Sequence, residues 1–183
     1  MWPINNNGKE IINQPNESKM LSQQEIKAIE SWISQIGTIQ FLQTADQQMV
    51  TANKTLKFKY KMIGYGFNRV VYDLNNGYIL KIALSEVGLI SNANEAYIYN
   101  NCHEAVKQCI CPVKEHGTGW IIMNKVETNV PFAFNEYTKL IKLELKFLTY
   151  GIIPIDLRLE NVGYNENDEM VVTDYGLFTR WLV

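Results

Sequence analysis

The stretch Gly64-Tyr65-Gly66-Phe67-Asn68-Arg69-Val70-Val71-Tyr72-Asp73-Leu74-Asn75-Asn76-Gly77-Tyr78-Ile79-Leu80-Lys81-Ile82-Ala83 decides how this chain is read. Arg69 to Leu74 and Tyr78 to Ala83 are rich in aliphatic and aromatic residues and predict two strands. Asn75-Asn76-Gly77 between them accepts the positive φ angles of a tight turn, so the strands should pair antiparallel. Just upstream, Gly64 and Gly66 let a backbone come close to a phosphate chain with its amides pointing inward. Taken alone, that segment reads more readily as a plain hairpin turn. Lys81 has apolar strand residues on both sides. Burying its ammonium is costly unless a partner offsets the charge.

Working outward, Glu95 offers that partner. Asn92 to Cys102 predicts a short helix, with Ile98, Tyr99 and Cys102 on the same side as Glu95. A lone carboxylate on a packed face is penalised, and a Lys81–Glu95 pair removes both penalties. Val113 to His116 and Trp120 to Met123 predict two further strands joined through Gly117-Thr118-Gly119. On the amino-terminal side, Leu56, Phe58, Tyr60 and Met62 alternate with Lys57, Lys59 and Lys61, predicting a strand over 56–62. Earlier still, Ser22-Gln23-Gln24-Glu25 fits a capping box, and Ile26, Ile29, Ile33 and Ile36 make one apolar helix face that Gly37 should end. Thr38 to Thr51 leans weakly helical. The Asn-rich segment Met1 to Lys19 is expected to be a mobile leader or a surface strap.

Two acidic segments follow. A helix is predicted from Asn135 to Tyr150, with Tyr137, Ile141, Leu145 and Leu148 sharing a face and Gly151 at its end. After it comes Ile155-Asp156-Leu157-Arg158-Leu159-Glu160-Asn161. An Asp and an Asn five positions apart in a loop can converge, one taking a proton from a hydroxyl and the other binding a cation. An Asx turn has the same composition. Met170-Val171-Val172-Thr173-Asp174-Tyr175-Gly176 then places a carboxylate at a strand end beside a hinge, a position suited to a hard cation.

The bulk properties exclude several classes. The chain has 183 residues, 46% of them hydrophobic and 20% charged, as in a single ordinary globular domain. A formal net charge of −2 gives no general attraction to nucleic acid or an anionic membrane. No apolar run approaches the roughly 20 residues of a membrane span, and Met1 to Glu10 lacks the apolar stretch of a signal peptide. The three cysteines, Cys102, Cys109 and Cys111, suggest no disulfide framework and point to a reducing cytosol. They read as ordinary thiols, since Cys109-Ile110-Cys111 has no second ligand pair. His103 and His116 have no acidic or cysteine partner at useful spacing. Trp32, Trp120 and Trp181 read as core or interface aromatics.

In this order the motifs resemble those of the protein-kinase-like superfamily, over roughly Lys57 to Leu177. Gly64, Gly66 and Val71 match its glycine-rich loop, Lys81 its strand lysine and Glu95 the helix partner. Ile121 to Glu127 is similar to the strand entering the hinge, where Asn124 and Val126 would read the adenine edge. Asp156 and Asn161 match the catalytic Asp and metal-binding Asn, and Asp174-Tyr175-Gly176 the Asp-Phe-Gly motif. Arg69 stands in place of the third loop glycine, Ile79 in place of a small Ala, and Pro154-Ile155 in place of His-Arg. Leu177 to Val183 leaves no room for an activation segment or later helices, which puts a peptide acceptor in doubt. The compact form looks more like small bacterial and phage kinase-like proteins than signalling kinases.

The resemblance implies an α+β, protein-kinase-like fold: an antiparallel β-sheet N-lobe with an αC-type helix, and a minimal, truncated helical C-lobe. The implied layout is a leader over 1–19, a helical extension over 20–52, an N-lobe over 53–127 and a reduced C-lobe over 128–183. It implies a phosphotransferase using ATP and Mg²⁺. In it Lys81 and Glu95 serve the phosphates, Asn161 and Asp174 the metal, Asp156 the acceptor hydroxyl, and Arg158 the transferred phosphoryl group. The acceptor, protein or small molecule, is left open. The alternatives are a nucleotide-binding pseudokinase acting as a phage- or host-directed interaction module without turnover and, ranked lower, an AMP transferase. No nucleic-acid or membrane partner is expected, the expected location is the cytoplasm of a bacterium or infected host, and a homodimer is left open.

Overall fold

The buried indole of Trp32 donates its Nε1–H to the carbonyl of Ala83 at 2.7 Å, and this contact sets the first layer of the fold. The structure, a computed structural model, describes residues 18–39 and 42–181. The expected leader therefore lies outside the described residues except for Ser18 and Lys19, and so does Leu182. Ser18 Oγ and the Lys19 N–H both donate to the Glu115 carboxylate. Over the described residues the chain divides into two compact units. One comprises Met1–Ala93 with Val113–Met123, the other Asn94–Pro112 with Asn124–Val183.

The first unit is a sheet with a helical layer on one face. Helix α1 (Gln23–Ile33) starts at the expected capping box, the Ser22 and Glu25 side chains each serving the other's backbone N–H. A short helix α2 (Ile36–Ile39) and helix α3 (Ala45–Leu56) follow, and Thr44 with Gln47 forms a second capping box. Strands β1 (Lys61–Tyr65), β2 (Arg69–Asp73), β3 (Tyr78–Ala83), β4 (Val113–Gly117) and β5 (Trp120–Asn124) form a five-stranded sheet in the order β1-β2-β3-β5-β4. β1 with β2, β2 with β3 and β4 with β5 are antiparallel. The β2–β3 turn has the expected left-handed residues, Asn75 at φ 59° and Gly77 at φ 86°. Alternation then sorts the side chains. Val70, Tyr72, Leu80 and Ile82 pack in one core with Ile26, Ile29, Trp32, Ala52 and Leu56 of the helices. Val71, Ile79 and Lys81 point to the opposite face, because successive side chains of a strand alternate.

The expected strand over 56–62 is not formed. Leu56 closes α3, Lys57 takes a left-handed conformation (φ 51°) as its cap, and β1 starts only at Lys61. The alternation has another cause: the Phe58 ring packs edge-on against Tyr60 and Tyr72, so Phe58 and Tyr60 are half-buried without a ladder, while Met62 is exposed on β1. Gly37 is likewise no terminus, since α1 ends at Ile33 and Gly37 lies inside α2.

Helix α4 (Glu86–Asn101) begins in the first unit and ends in the second, six residues ahead of its expected start at Asn92. Gly88 explains why a glycine sits in its first turn: an added Cβ would lie 2.0 Å from the Asn68 carbonyl oxygen. The second unit continues with α5 (Glu104–Lys107) and α6 (Phe134–Thr149). Strand β6 (Ile152–Ile153) pairs with β9 (Thr179–Arg180), and β7 (Val162–Tyr164) pairs with β8 (Met170–Val172). Gly151, at φ 73°, ends α6 as expected. Tyr137, Ile141, Leu145 and Leu148 share a face of α6, but that face is exposed. The inward face carries Glu136, Leu143 and Phe147 instead. Trp120 is buried as expected, whereas Trp181 is exposed. Among the described residues no helix is long and apolar enough to cross a membrane.

Trp32→Ala removes a buried ring and its hydrogen bond. It should lower unfolding stability by roughly 3–5 kcal/mol, read from the midpoint shift in a urea titration. A loss under about 1 kcal/mol, typical of a surface change, would mean the helical layer is an accessory to the sheet.

Candidate functional site

In the first unit the β1–β2 turn is held from below. The Gly66 N–H donates to the Arg69 carbonyl at 2.9 Å. Asn68 is clamped to the start of α4: its carbonyl accepts from the Leu84 N–H at 2.7 Å, and its Oδ1 accepts from Ser85 Oγ at 2.9 Å. Gly64 and Gly66 differ from Gly88. Neither takes a positive φ, and an added Cβ at either would meet nothing within 4 Å. Neither turn geometry nor internal packing asks for glycine at these two positions. Val71 is directly opposite Lys81 in the β2–β3 register, so both face the same side of the sheet.

Lys81 is only 5% exposed. The backbone around it is fixed by Asn92, a buried residue of α4 that sequence reading did not single out. The Asn92 Nδ2 donates to the Gly119 carbonyl at 3.0 Å and weakly to the Lys81 carbonyl at 3.5 Å, while its Oδ1 accepts from Arg69 at 3.4 Å. One amide thereby ties together the start of β2, the lysine strand and the β4–β5 turn. The signal in the sequence was an Asn among apolar helix positions, three residues before Glu95.

The second unit gathers the acidic residues. Asp156 is exposed and adopts φ 64°, a left-handed conformation that Asp tolerates better than most side chains. The Asn161 Nδ2 donates to the Asp156 carbonyl at 2.8 Å and to its Oδ2 at 3.2 Å. Arg158 approaches the Asp156 Oδ1 at 3.5 Å, and its Nε lies 3.9 Å from Glu160. The Asn161 carbonyl accepts from the N–H groups of Thr173 (2.8 Å) and Asp174 (3.4 Å). The two acidic segments, on either side of the β7–β8 hairpin, thus meet at Asn161. With Nδ2 committed to Asp156, Asn161 has its Oδ1 left as a hard oxygen, next to the backbone that carries Asp174. Among the described residues no three His, Cys, Asp or Glu side chains gather to hold a metal by themselves.

The segment after Asp174 is fastened by α4. Glu95 is fully buried, and its Oε1 accepts from the Tyr175 N–H at 3.2 Å. Asn94, also not foreseen, donates to the carbonyls of Gly176 (2.9 Å) and Phe178 (2.7 Å). Tyr175 is buried, with its hydroxyl donating to the Cys111 carbonyl at 2.9 Å. Burial first, and the Glu95 charge second, push its phenol well above the ordinary tyrosine range. Phe178 packs edge-on against Phe147 of α6. Asp174 therefore sits between two anchored points, Asn161 before it and Tyr175–Phe178 after it.

Asn124 and Val126 also belong to the second unit. The Asn124 N–H donates to the Pro112 carbonyl at 3.1 Å, and its carbonyl accepts from the Cys111 thiol at 3.0 Å. Its side-chain Oδ1 is buried without a hydrogen-bond partner. Glu127 exchanges two backbone bonds with Tyr164.

No protein-family model and no curated protein matches this chain. Solved structures do. A structure of WbdD co-crystallised with a kinase inhibitor superposes with a TM-score of 0.53 at 15% identity, covering 67% of this chain and 34% of that one. Two further WbdD structures, one of them described as a bifunctional kinase-methyltransferase, give TM-scores of 0.50 at 15% identity, covering 63% of this chain and 31% of theirs. The chain spans about a third of the length of these proteins. The fold is α+β and kinase-like, an antiparallel five-stranded sheet accompanied by several helices.

Asn94→Ala removes both clamps on the Gly176 and Phe178 carbonyls. The amides of residues 174–178 should then exchange with deuterium about 10-fold faster or more, by local opening, while those of β2 and β3 are unchanged. Equal acceleration everywhere would show a global loss of stability instead.

Proposed function

We propose that this chain binds ATP with Mg²⁺ and transfers the γ-phosphoryl group to a hydroxyl acceptor. The observation that carries the reading is the convergence at Asn161. Its amide holds Asp156, and its carbonyl holds the backbone of Asp174. A carboxylate and an amide oxygen are what Mg²⁺ takes from a protein when phosphates and water complete its octahedron. Gly64 and Gly66, which the protein's own packing does not require, suit close approach of a phosphate chain.

In this reading Lys81 holds the α and β phosphates. Asn161 and Asp174 hold the metal, which when bound neutralises charge on the transferred group. Asp156 accepts the proton of the acceptor hydroxyl, and Arg158 moves from Asp156 to the transferred group. Asn124 has both backbone groups engaged, so reading the adenine edge falls to the Val126 backbone. The orphan Asn124 Oδ1 gains a donor if the base lies beside it.

A second reading, nucleotide binding without turnover, has its own observation. Both Asp156 carboxylate oxygens already have a contact, Arg158 and Asn161, and a cation beside a carboxylate makes it a weaker proton acceptor. Incubation with γ-labelled ATP, Mg²⁺ and candidate acceptors separates the two. The transferase reading expects label in a product or in the protein, with Asp156→Asn slowing transfer by about 10²- to 10⁴-fold and Asp174→Asn abolishing it. Intact mass should show an added phosphate rather than AMP. Thermal stabilisation by Mg-ATP with no ADP and no labelled product would instead establish the second reading.

A further inference from the structure

Helix α6 carries an apolar stripe that its own unit does not use. Phe134 is 85% exposed, Tyr137 46%, Ile141 55%, Leu145 58% and Leu148 37%. At 3.6 residues per turn these five positions fall within an arc of about 80°. Leu143 and Phe147, on the opposite side, are the residues the fold buries. An amphipathic helix normally turns its apolar stripe inward. Here a second stripe runs four turns along the solvent side.

We propose that this stripe is the interface of a parallel homodimer, two copies of α6 lying side by side about a two-fold axis along the helix. The borders of the stripe decide the occupant and the orientation. Lys142 lies beyond one border and Glu144 beyond the other, and both are exposed. A two-fold axis along the helix sets opposite borders against each other. Glu144 then meets the partner's Lys142 about 3 Å further along the axis, twice by symmetry. An antiparallel pair would set Lys142 beside the partner's Lys142 and Glu144 beside the partner's Glu144, which repels. Charges flanking an apolar seam select orientation in this way. The stripe is complementary to itself, each exposed charge gaining an opposite charge in the parallel pair.

The area is of the right order. The five exposed side chains present roughly 500 Å² per copy, against about 800 Å² per partner in a standard interface. Thr138, Lys142 and Glu144 on the borders and the exposed Phe132 supply most of the difference.

Sedimentation of the full chain across a dilution series tests this. The native chain should show a concentration-dependent dimer. Ile141→Glu and Leu145→Glu should each weaken it by roughly a hundredfold, with unchanged far-ultraviolet circular dichroism. Lys142→Glu and Glu144→Lys should each weaken it by several-fold, and the two combined should restore it. The charge variants keep the test decisive even if the apolar ones misfold. A folded monomer at every concentration, a dimer indifferent to Ile141→Glu, or a combined charge swap that restores nothing would overturn the proposal.

Discussion

The hydrogen bonds made by three polar side chains of α4 are what the rest of the molecule depends on. Asn92 ties the start of β2 and the β4–β5 turn to the backbone of the lysine strand. Asn94 and Glu95 hold the chain that follows Asp174. A buried amide or carboxylate costs about 1–3 kcal/mol or more when left unsatisfied. These groups therefore specify where the neighbouring backbone must be, not merely that it is packed. Apolar residues at the same positions would bury as well but would not set the carbonyls of Gly119, Gly176 and Phe178 at fixed points.

The two units solve the same problem with different materials. In the first, two strand faces are separated by period. One face is consumed by the helices carrying Trp32, and the other carries Lys81, Val71 and Ile79. In the second there is little sheet, and irregular backbone does the positioning. Asn161 bridges two loops through its side chain and its carbonyl, and Asp156 accepts a left-handed conformation to meet it. Loops carrying reactive groups need such side-chain braces, because no ladder of backbone bonds holds them.

Much of this was legible beforehand, and for identifiable reasons. The β2–β3 hairpin followed from Asn75-Asn76-Gly77, the start of α1 from its capping box, and the end of α6 from Gly151, since each depends on a few neighbouring residues. The segment 56–62 was misread because alternation is shared by a strand and by aromatic side chains packing one upon another. The start of α4 was missed because Gly88 argues against a helix until the Asn68 carbonyl beside it is seen. The α6 face built by Tyr137, Ile141, Leu145 and Leu148 was found, but periodicity cannot say whether a face turns inward. The convergence of Asp156 and Asn161 followed from their spacing. Asn94 was not legible, because its partners are backbone carbonyls and leave no residue pattern to read, and the polar Asn92 in α4 was visible but nothing in the sequence pointed to the Gly119 and Lys81 carbonyls that it holds.

The proposed function requires Lys81 and Asp174 to serve one nucleotide. Calorimetric titration of the full chain with ATP, with and without Mg²⁺, tests it most directly. The account predicts saturable binding that Mg²⁺ strengthens, a Lys81→Met variant weakened whether or not Mg²⁺ is present, and an Asp174→Asn variant that retains binding but loses the Mg²⁺ effect. Equal affinity for all three proteins, or no saturable heat from the native chain, would contradict it.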